Sequence, residues 1–339
     1  MNIQIEEGVA LAPLTTMLVG GAARFFVRIT GASQISEVVS FARAKNIPLL
    51  VLGGGSNVLI PDTGFSGLVM KVECKGISFE LDEGNRVRMI VGAGERWDYV
   101  VLSAVLERLW GIENLSLVPG TLGGAIVQNI GAYGVEVCDS VLWVEAYDMQ
   151  TMKTKIFLRS ECMFGYRTSI FKTNRNLIVV RAALELGREE KAQTDYEDVK
   201  KYFLTQNNNA PSLEDIRCAI IAIRTAKMPA PPLGTAGSFF KNPVVSVDVF
   251  ESLKKTYPEI KAYVQRDGTI KLSAAWLLDK VCGWRGVRRG NVGVYKKQSL
   301  VLVNYGGASA QEILNLAQKM RGSLFQKTGI VLEEEVVIL

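Results

Sequence analysis

The order of helical and extended segments predicts an α+β chain with mixed sheets. Three observations carry that reading. Amphipathic helices and strand-like runs alternate irregularly, with no repeat period anywhere in the 339 residues. Neighbouring strand-like runs are joined by short turns in two places, as hairpins are. The glycines closing the first buried strand lead into a turn rather than a helix, so neither a Rossmann fingerprint nor a phosphate-binding P-loop forms there.

Element by element, Ile35, Val38, Val39 and Ala42 share one helical face, with Ser33 placed as N-cap. IPLLVLGGG (47–55) reads as a buried strand, closed after SNVLIPD by Pro61, Asp62 and Gly64. GLVMKVE (67–73), ISFELD (77–82) and RVRMIVGAG (86–94) read as strands, the last two joined at Glu83-Gly84-Asn85. A helix follows from about 95 to 109. VPGTLGGAIVQNIGAYG (118–134) is too rich in glycine for a helix and too polar for a simple strand, so it reads as a long irregular segment with a functional reason. SVLWVEAYDM (140–149) with KTKIFLR (153–159) makes a hairpin, and NLIVVRAALEL (176–186) a buried strand.

The polar stretch 188–211 reads as a break. Ser212 and Asp215 are spaced as a capping box for a helix to about Lys227, and a Pro/Gly linker (228–237) follows. Helices are expected near 247–257 and 273–281, with a turn at Arg266-Asp267-Gly268 between them. SLVLVN (299–304) reads as a strand, 310–327 as a helix capped by Ser309 with Glu312, and IVLEEEVVIL (330–339) as a last strand.

Composition narrows the chemistry. An apolar share of 48% and a charged share of 22% belong to a folded globular protein large enough for two or three domains. The net charge of +5 is spread without a basic run, which argues against nucleic acid and suits a small anionic ligand. Cys74, Cys138, Cys162, Cys218 and Cys282 are far apart with no CxxC, so they read as small core residues in a reducing compartment, not as a metal site or redox pair. The first residues lack a basic n-region and carry Glu6 and Glu7, and no apolar run is long enough to span a bilayer. A cytoplasmic protein with no membrane partner is expected, working as a monomer.

The chain contains no histidine. That removes the Ser-His-Asp triad, the Cys-His pair and every histidine metal ligand. Ser238, inside AGSFFKNP (236–243), therefore reads as a proton donor rather than an activated nucleophile. GGGSNVL (53–59) and the 118–134 segment are glycine-rich stretches whose backbone N–H groups suit a pyrophosphate, although each alone also reads as a turn at a sheet edge. FGYRTSIFK (164–172) gathers Tyr166, Arg167, Ser169 and Lys172, a carboxylate-binding set or a surface salt-bridge segment. RTAKMP (224–229) puts Arg224 and Lys227 in a last helical turn, where the dipole alone favours cations. LEEEV (332–336) sets Glu333 and Glu335 on one strand face and Glu334 on the other, and Tyr196 stands in the polar run TDYEDV.

In this order, GGGSNVL, ENLSLVPGTLGGAIVQNIGAYG, FGYRTSIFK, RTAKMP, AGSFFKNP and LEEEV resemble the UDP-N-acetylenolpyruvoylglucosamine reductase (MurB) family, over about Leu14 to Val336. The resemblance implies a FAD-binding fold of the PCMH or vanillyl-alcohol-oxidase type and a separate C-terminal α+β substrate domain. It divides the chain into 1–72 with 330–339 and 73–224 as two lobes of the FAD domain, and 225–329 as the substrate domain. FAD contacts are implied at Gly53, Gly54, Gly55, Ser56, Asn57 and Val58, at Pro119, Gly120, Thr121, Gly123, Gly124, Ala125, Gln128, Asn129 and Gly131, and at Arg224. The catalytic trio falls on Arg167, Ser238 and Glu335, and substrate contacts on Tyr166, Tyr196, Lys227 and Asn242. No metal is implied.

The implied reaction uses NADPH as hydride source and the enolpyruvyl ether of UDP-N-acetylglucosamine as acceptor, yielding UDP-N-acetylmuramate for peptidoglycan. Without histidine the FAD is expected to be held non-covalently. Three positions depart from the family pattern: Glu334 where proline is common, Val337 where a basic residue often follows, and Lys280 in place of a glutamine. The competing readings are another non-covalent FAD oxidoreductase of the superfamily and a non-catalytic flavin or nucleotide-sugar binder. The first gives AGSFFKNP and the terminal glutamate no reason to exist, and the second would bind FAD yet fail to turn over NADPH when given the enolpyruvyl substrate.

Overall fold

The computed structural model describes residues 3–81, 85–265 and 267–339. The turns expected at 83–85 and 266–268, and the last residue of the strand 77–82, include positions outside this set. The chain forms two compact units. The first is 1–9, 23–55 and 65–226; the second is 10–22, 56–64 and 227–339.

Two larger sheets build most of the first unit. One runs in the order Ile5–Ala10, Ala22–Ile29, Phe65–Val72, Leu49–Leu52. Its central strand is parallel to both 22–29 and 49–52. Parallel strands of one sheet need crossovers, and the helix Ile35–Ala44 lies in the one between strands 22–29 and 49–52, with Ile35, Val38, Val39 and Ala42 all buried as their spacing predicts. The helix starts off a 3-10 turn, so Gln34 rather than Ser33 stands at the N-cap, and the Gln34 side-chain oxygen accepts from the Thr30 and Gly31 N–H groups.

The other sheet is antiparallel throughout, in the order Lys153–Leu158, Val141–Asp148, Leu177–Gly187, Arg86–Gly92, Ile77–Leu81. The hairpin expected at 140–159 and the strand expected at 176–186 are both there. Trp97 opens the helix Trp97–Leu106 fully buried, with its indole N–H given to the Leu115 carbonyl at 2.9 Å. One continuous apolar core runs through both sheets and this helix.

Two expectations fail in this unit. The glycine-rich stretch 118–134 contains a helix, Leu122–Gln128, and the polar stretch 188–211 contains another, Glu197–Gln206. In the first, Leu122, Ala125 and Ile126 are buried, so packing outweighs the cost of two glycines. In the second, Val199 and Phe203 at i, i+4 spacing anchor an otherwise polar helix on a small satellite core with Ile216, Ala219 and Ile220. The helix Leu213–Lys227 forms as expected, with the Ser212–Asp215 box made in both directions.

The second unit holds two three-stranded sheets, 244–245 with 270–272 and 262–264, and 288–289 with 292–294 and 302–304. Its long helix Ala310–Thr328 carries the expected Ser309–Glu312 capping box. The Asp62 carboxylate takes the next two orphan N–H groups, Ala310 and Gln311. Phe239, Phe240, Leu277, Leu278, Met320 and Leu324 share its core. The expected strands 299–304 and 330–339 are regular only at Leu302–Asn304 and Val337–Ile338. Both chains change pairing partner along their length, so neither makes one unbroken ladder.

Candidate active site

In the first unit the two glycine-rich stretches meet backbone to backbone. A Cβ on Gly54 would lie 2.6 Å from the Gly120 Cα, and one on Gly53 would lie 2.8 Å from the Thr121 hydroxyl. Only glycine permits that approach. Lys71 braces the first stretch by donating to the Gly53 carbonyl at 3.0 Å. Residues 120–122 are fixed to 95–97 by bonds from Trp97 N to the Gly120 carbonyl and from Leu122 N to the Glu95 carbonyl.

The helix 122–128 ends on Asn129 in the left-handed region at φ 43°. Asn129 is fully buried, and its side chain bonds the Gly165 carbonyl, Glu136 Oε2 and the Cys138 N–H. The segment 164–172 is docked along this helix end. Ser169 donates to the Val127 carbonyl at 2.8 Å, and Lys172 donates to Gln128 Oε1 at 2.7 Å and to the Arg167 carbonyl at 2.9 Å. Arg167, itself at φ 55°, gives its guanidinium to the Gly131 and Asn129 carbonyls and faces Glu136 at 3.8 Å. Its guanidinium carbon lies 5.2 Å from the Tyr166 ring centre. Sequence reasoning gathered Arg167, Gln128, Asn129 and Gly131 from two separate motifs; the structure joins them.

Two polar groups are buried here with no protein partner: the Thr121 hydroxyl and Nε of Arg224. Burial pulls the Arg224 guanidinium below its usual range, while the Tyr133 hydroxyl and the Asp98 carboxylate favour its charge. Burial likewise raises the Tyr133 phenol. Tyr133, absent from the candidate residues, packs edge-on against Tyr196 at 5.3 Å between ring centres. Its place in the run AYG, beside a glycine needed at positive φ, was the available signal.

In the second unit AGSFFKNP lies between two chain segments. Ser238 bridges Val301, and Phe239 N bonds the Leu300 carbonyl on one side. On the other, Glu335 N bonds the Phe239 carbonyl and Lys241 N bonds the Glu333 carbonyl. Phe239 and Phe240 are 0% and 1% exposed, which leaves the partly exposed Ser238 beside a fully buried aromatic pair. Glu333 pairs with Lys241 and Glu334 with Arg321. Asn242 accepts the Ala274 N–H at the start of a helix. Ser56, Asn57 and Val58 belong to this unit, and Asn57 is bonded to the C-terminal segment through its side chain and carbonyl. Ser238 and Glu335 thus sit on adjacent paired segments of one unit, while Arg167, Tyr166, Tyr196 and Arg224 lie in the first unit and Lys227 opens the last part of the second.

The donors fit a flavin dinucleotide. The two glycine stretches pack so closely that a Cβ on Gly53 or Gly54 would strike Thr121 or Gly120, and the hydroxyl of Thr121 and Nε of Arg224 are buried donors with no partner. Among the described residues no group of three or more His, Cys, Asp or Glu could hold a metal ion, and no helix is long and apolar enough to cross a membrane.

Comparison with known proteins defines the class first. A FAD binding domain family matches residues 23–151, and the C-terminal domain family of UDP-N-acetylenolpyruvoylglucosamine reductase matches residues 229–339. The chain is thus a flavoprotein with a PCMH-type FAD domain and a separate reductase C-terminal domain. It is 40% identical to UDP-N-acetylenolpyruvoylglucosamine reductase of Pseudomonas fluorescens over 99% of both chains, and 39% identical to that of Pseudomonas aeruginosa over the same share. A crystal structure of the MurB reductase from Thermus caldophilus has the same fold, with TM-score 0.67 and 24% identity over 100% of this chain and 99% of that one. The chain belongs to the UDP-N-acetylenolpyruvoylglucosamine reductase (MurB) family.

Proposed function

We propose that this chain reduces the enolpyruvyl ether of UDP-N-acetylglucosamine to UDP-N-acetylmuramate with NADPH, using non-covalent FAD. The observation that carries the reading is the 40% identity to a curated reductase across 99% of the chain. The meeting of the two glycine stretches supports it. Through peptidoglycan synthesis the activity would serve cell shape and division, and we place it in the cytoplasm.

Bound FAD supplies the relay of hydride from NADPH to the vinyl carbon of the substrate. Gly53–Val58 and residues 119–131, with Arg224, would hold it. Arg167 is the fixed cation for the substrate carboxylate as negative charge spreads into it. Its guanidinium is preorganised by the Gly131 and Asn129 carbonyls, and such a group contributes about 3–4 kcal/mol at a transition state. Glu335 is the acid that hydrogen-bonds the same developing charge. Ser238 donates the proton to the carbon next to the carboxylate. Tyr166, Tyr196, Lys227 and Asn242 bind the substrate.

The test is anaerobic reduction of the purified yellow protein by NADPH, followed by addition of the enolpyruvyl nucleotide. The flavin absorbance should bleach and then return. Bleaching without return would leave a flavoprotein with a different acceptor.

A further inference from the structure

Arg217 is a charged residue only 9% exposed, in the middle of the helix 213–227. Its two terminal nitrogens reach the two Asp98 carboxylate oxygens at 2.9 and 3.0 Å, and one also reaches the Ser116 hydroxyl at 3.0 Å. A bidentate pair of this kind fixes orientation as well as distance. Asp98 does a second job: its Oδ1 accepts the Leu117 N–H at 2.6 Å.

Leu117 is held at φ 58°, a conformation a branched side chain adopts at a cost. It stands two residues before Pro119. The preceding residue, Ser116, is tied back by its hydroxyl to the Glu113 carbonyl at 2.6 Å. One residue before Asp98, Trp97 bonds the Leu115 and Gly120 carbonyls. The stretch leading into the glycine cradle is therefore pinned at 115, 116, 117 and 120, and all four ties converge on Trp97, Asp98 and Arg217 or their immediate neighbours.

Arg224 lies seven residues beyond Arg217, two helical turns on and so on nearly the same face. The Asp98 charge is felt at Arg224 as well. Burial alone would raise the Asp98 carboxyl, but the hydrogen bonds from Arg217 and the Leu117 N–H outweigh it and hold the acid below its usual range.

We propose that Asp98 and Arg217 form a clamp that sets the glycine cradle at 119–124 and the Arg224-bearing helix in register, so that Arg217 is a positioning residue for the flavin. The inference rests on the reading of Arg224 as a FAD contact. The clamp fixes two flavin-binding elements from behind, and neither of its members needs to touch the flavin.

The experiment uses the FAD-loaded full chain and its Arg217→Lys, Asp98→Asn, Arg224→Met and Arg217→Lys/Arg224→Met variants. Three readouts are taken: FAD loss on dilution, the reduction potential of the bound flavin, and thermal melting to confirm folding. Arg217→Lys keeps the charge and loses the fork. It should lose FAD roughly tenfold faster, the effect of one charge-assisted hydrogen bond. Its potential should move in the direction of the Arg224→Met value, and the double variant should go no further than Arg224→Met alone. Asp98→Asn should follow Arg217→Lys. If Arg224→Met shifts the potential while Arg217→Lys and Asp98→Asn, both folded, leave it and FAD loss unchanged, the clamp is overturned and the Arg224 reading stands. If Arg224→Met itself changes neither quantity, the Arg224 reading falls and takes the clamp with it.

Discussion

Asn57 donates its side-chain amide to the Glu335 carbonyl at 3.0 Å, and its own carbonyl accepts the Val337 N–H at 3.1 Å. The tail of the first glycine stretch is thereby fastened to the chain at and just after the proposed acid, on either side of Val336. Asn57→Ala removes one bond and keeps the other. The expected loss of stability is about 0.5–1.5 kcal/mol. A larger effect is expected on turnover with substrate, because the Glu335 carbonyl loses one of the backbone ties that hold the proposed acid in place. Steady-state kcat measured beside a thermal melt separates the two; an unchanged kcat would reduce the contact to a structural one.

Gly54→Ala tests the cradle. The new methyl would meet the Gly120 backbone, which has no side chain to move aside. Forced overpacking of this kind costs about 1–3 kcal/mol. The variant should purify with less bound flavin than the parent, read from the ratio of visible to ultraviolet absorbance. Full flavin content would show that the two stretches part without penalty.

Ser238→Ala should separate the half-reactions. Flavin reduction by NADPH should stay near the parent rate. Reoxidation by the enolpyruvyl nucleotide should slow by about 10²–10⁴-fold, the usual contribution of a positioned proton donor. Equal slowing of both halves would remove Ser238 from proton transfer.

Glu113 gives a pH signature. It is 2% exposed and accepts the Gly111 N–H at 2.7 Å, yet burial outweighs that bond and raises its carboxyl above the usual range. The folded state therefore holds the proton more tightly than the unfolded chain. Stability from this group is complete below the unfolded value of about 4.3 and is lost as pH rises through the folded value. Glu113→Gln keeps the acceptor and removes the titration. The variant should gain in melting temperature relative to the parent as pH rises from about 4.3 through the raised folded value. A constant difference across that range would contradict the assignment.

Much of this molecule was legible in the sequence where one physical signal sufficed. The buried faces at Ile35, Val38, Val39 and Ala42, the Ser212–Asp215 and Ser309–Glu312 boxes, and the 140–159 hairpin follow from period, capping and turn rules. Leu122–Gln128 was misjudged because propensity counts its glycines against a helix, and only the packing of Leu122, Ala125 and Ile126 reveals it. The C-terminal run was misjudged because alternation cannot say that Glu335 pairs with Phe239 while Val337 pairs beside Asn57. The motifs proposed for the site were picked out by residue type alone. What no local pattern held was their wiring: that Asn129 bonds Gly165, or that Arg217 reaches back to Asp98. Contacts across such separations belong to the fold, not to any window of sequence.

The cysteines have a practical consequence. Burial raises the Cys74, Cys138, Cys162 and Cys282 thiols, to about 11 for Cys138 and about 12 for Cys162, whereas Cys218 is exposed. Thiolate, not thiol, reacts with maleimides, so brief labelling near neutral pH should attach one dye at Cys218 without mutagenesis. Cys218 adjoins Arg217 on the helix that ends near Arg224. The unaltered chain thus offers a ready attachment point for an optical reporter of that helix as cofactor and nucleotide come and go.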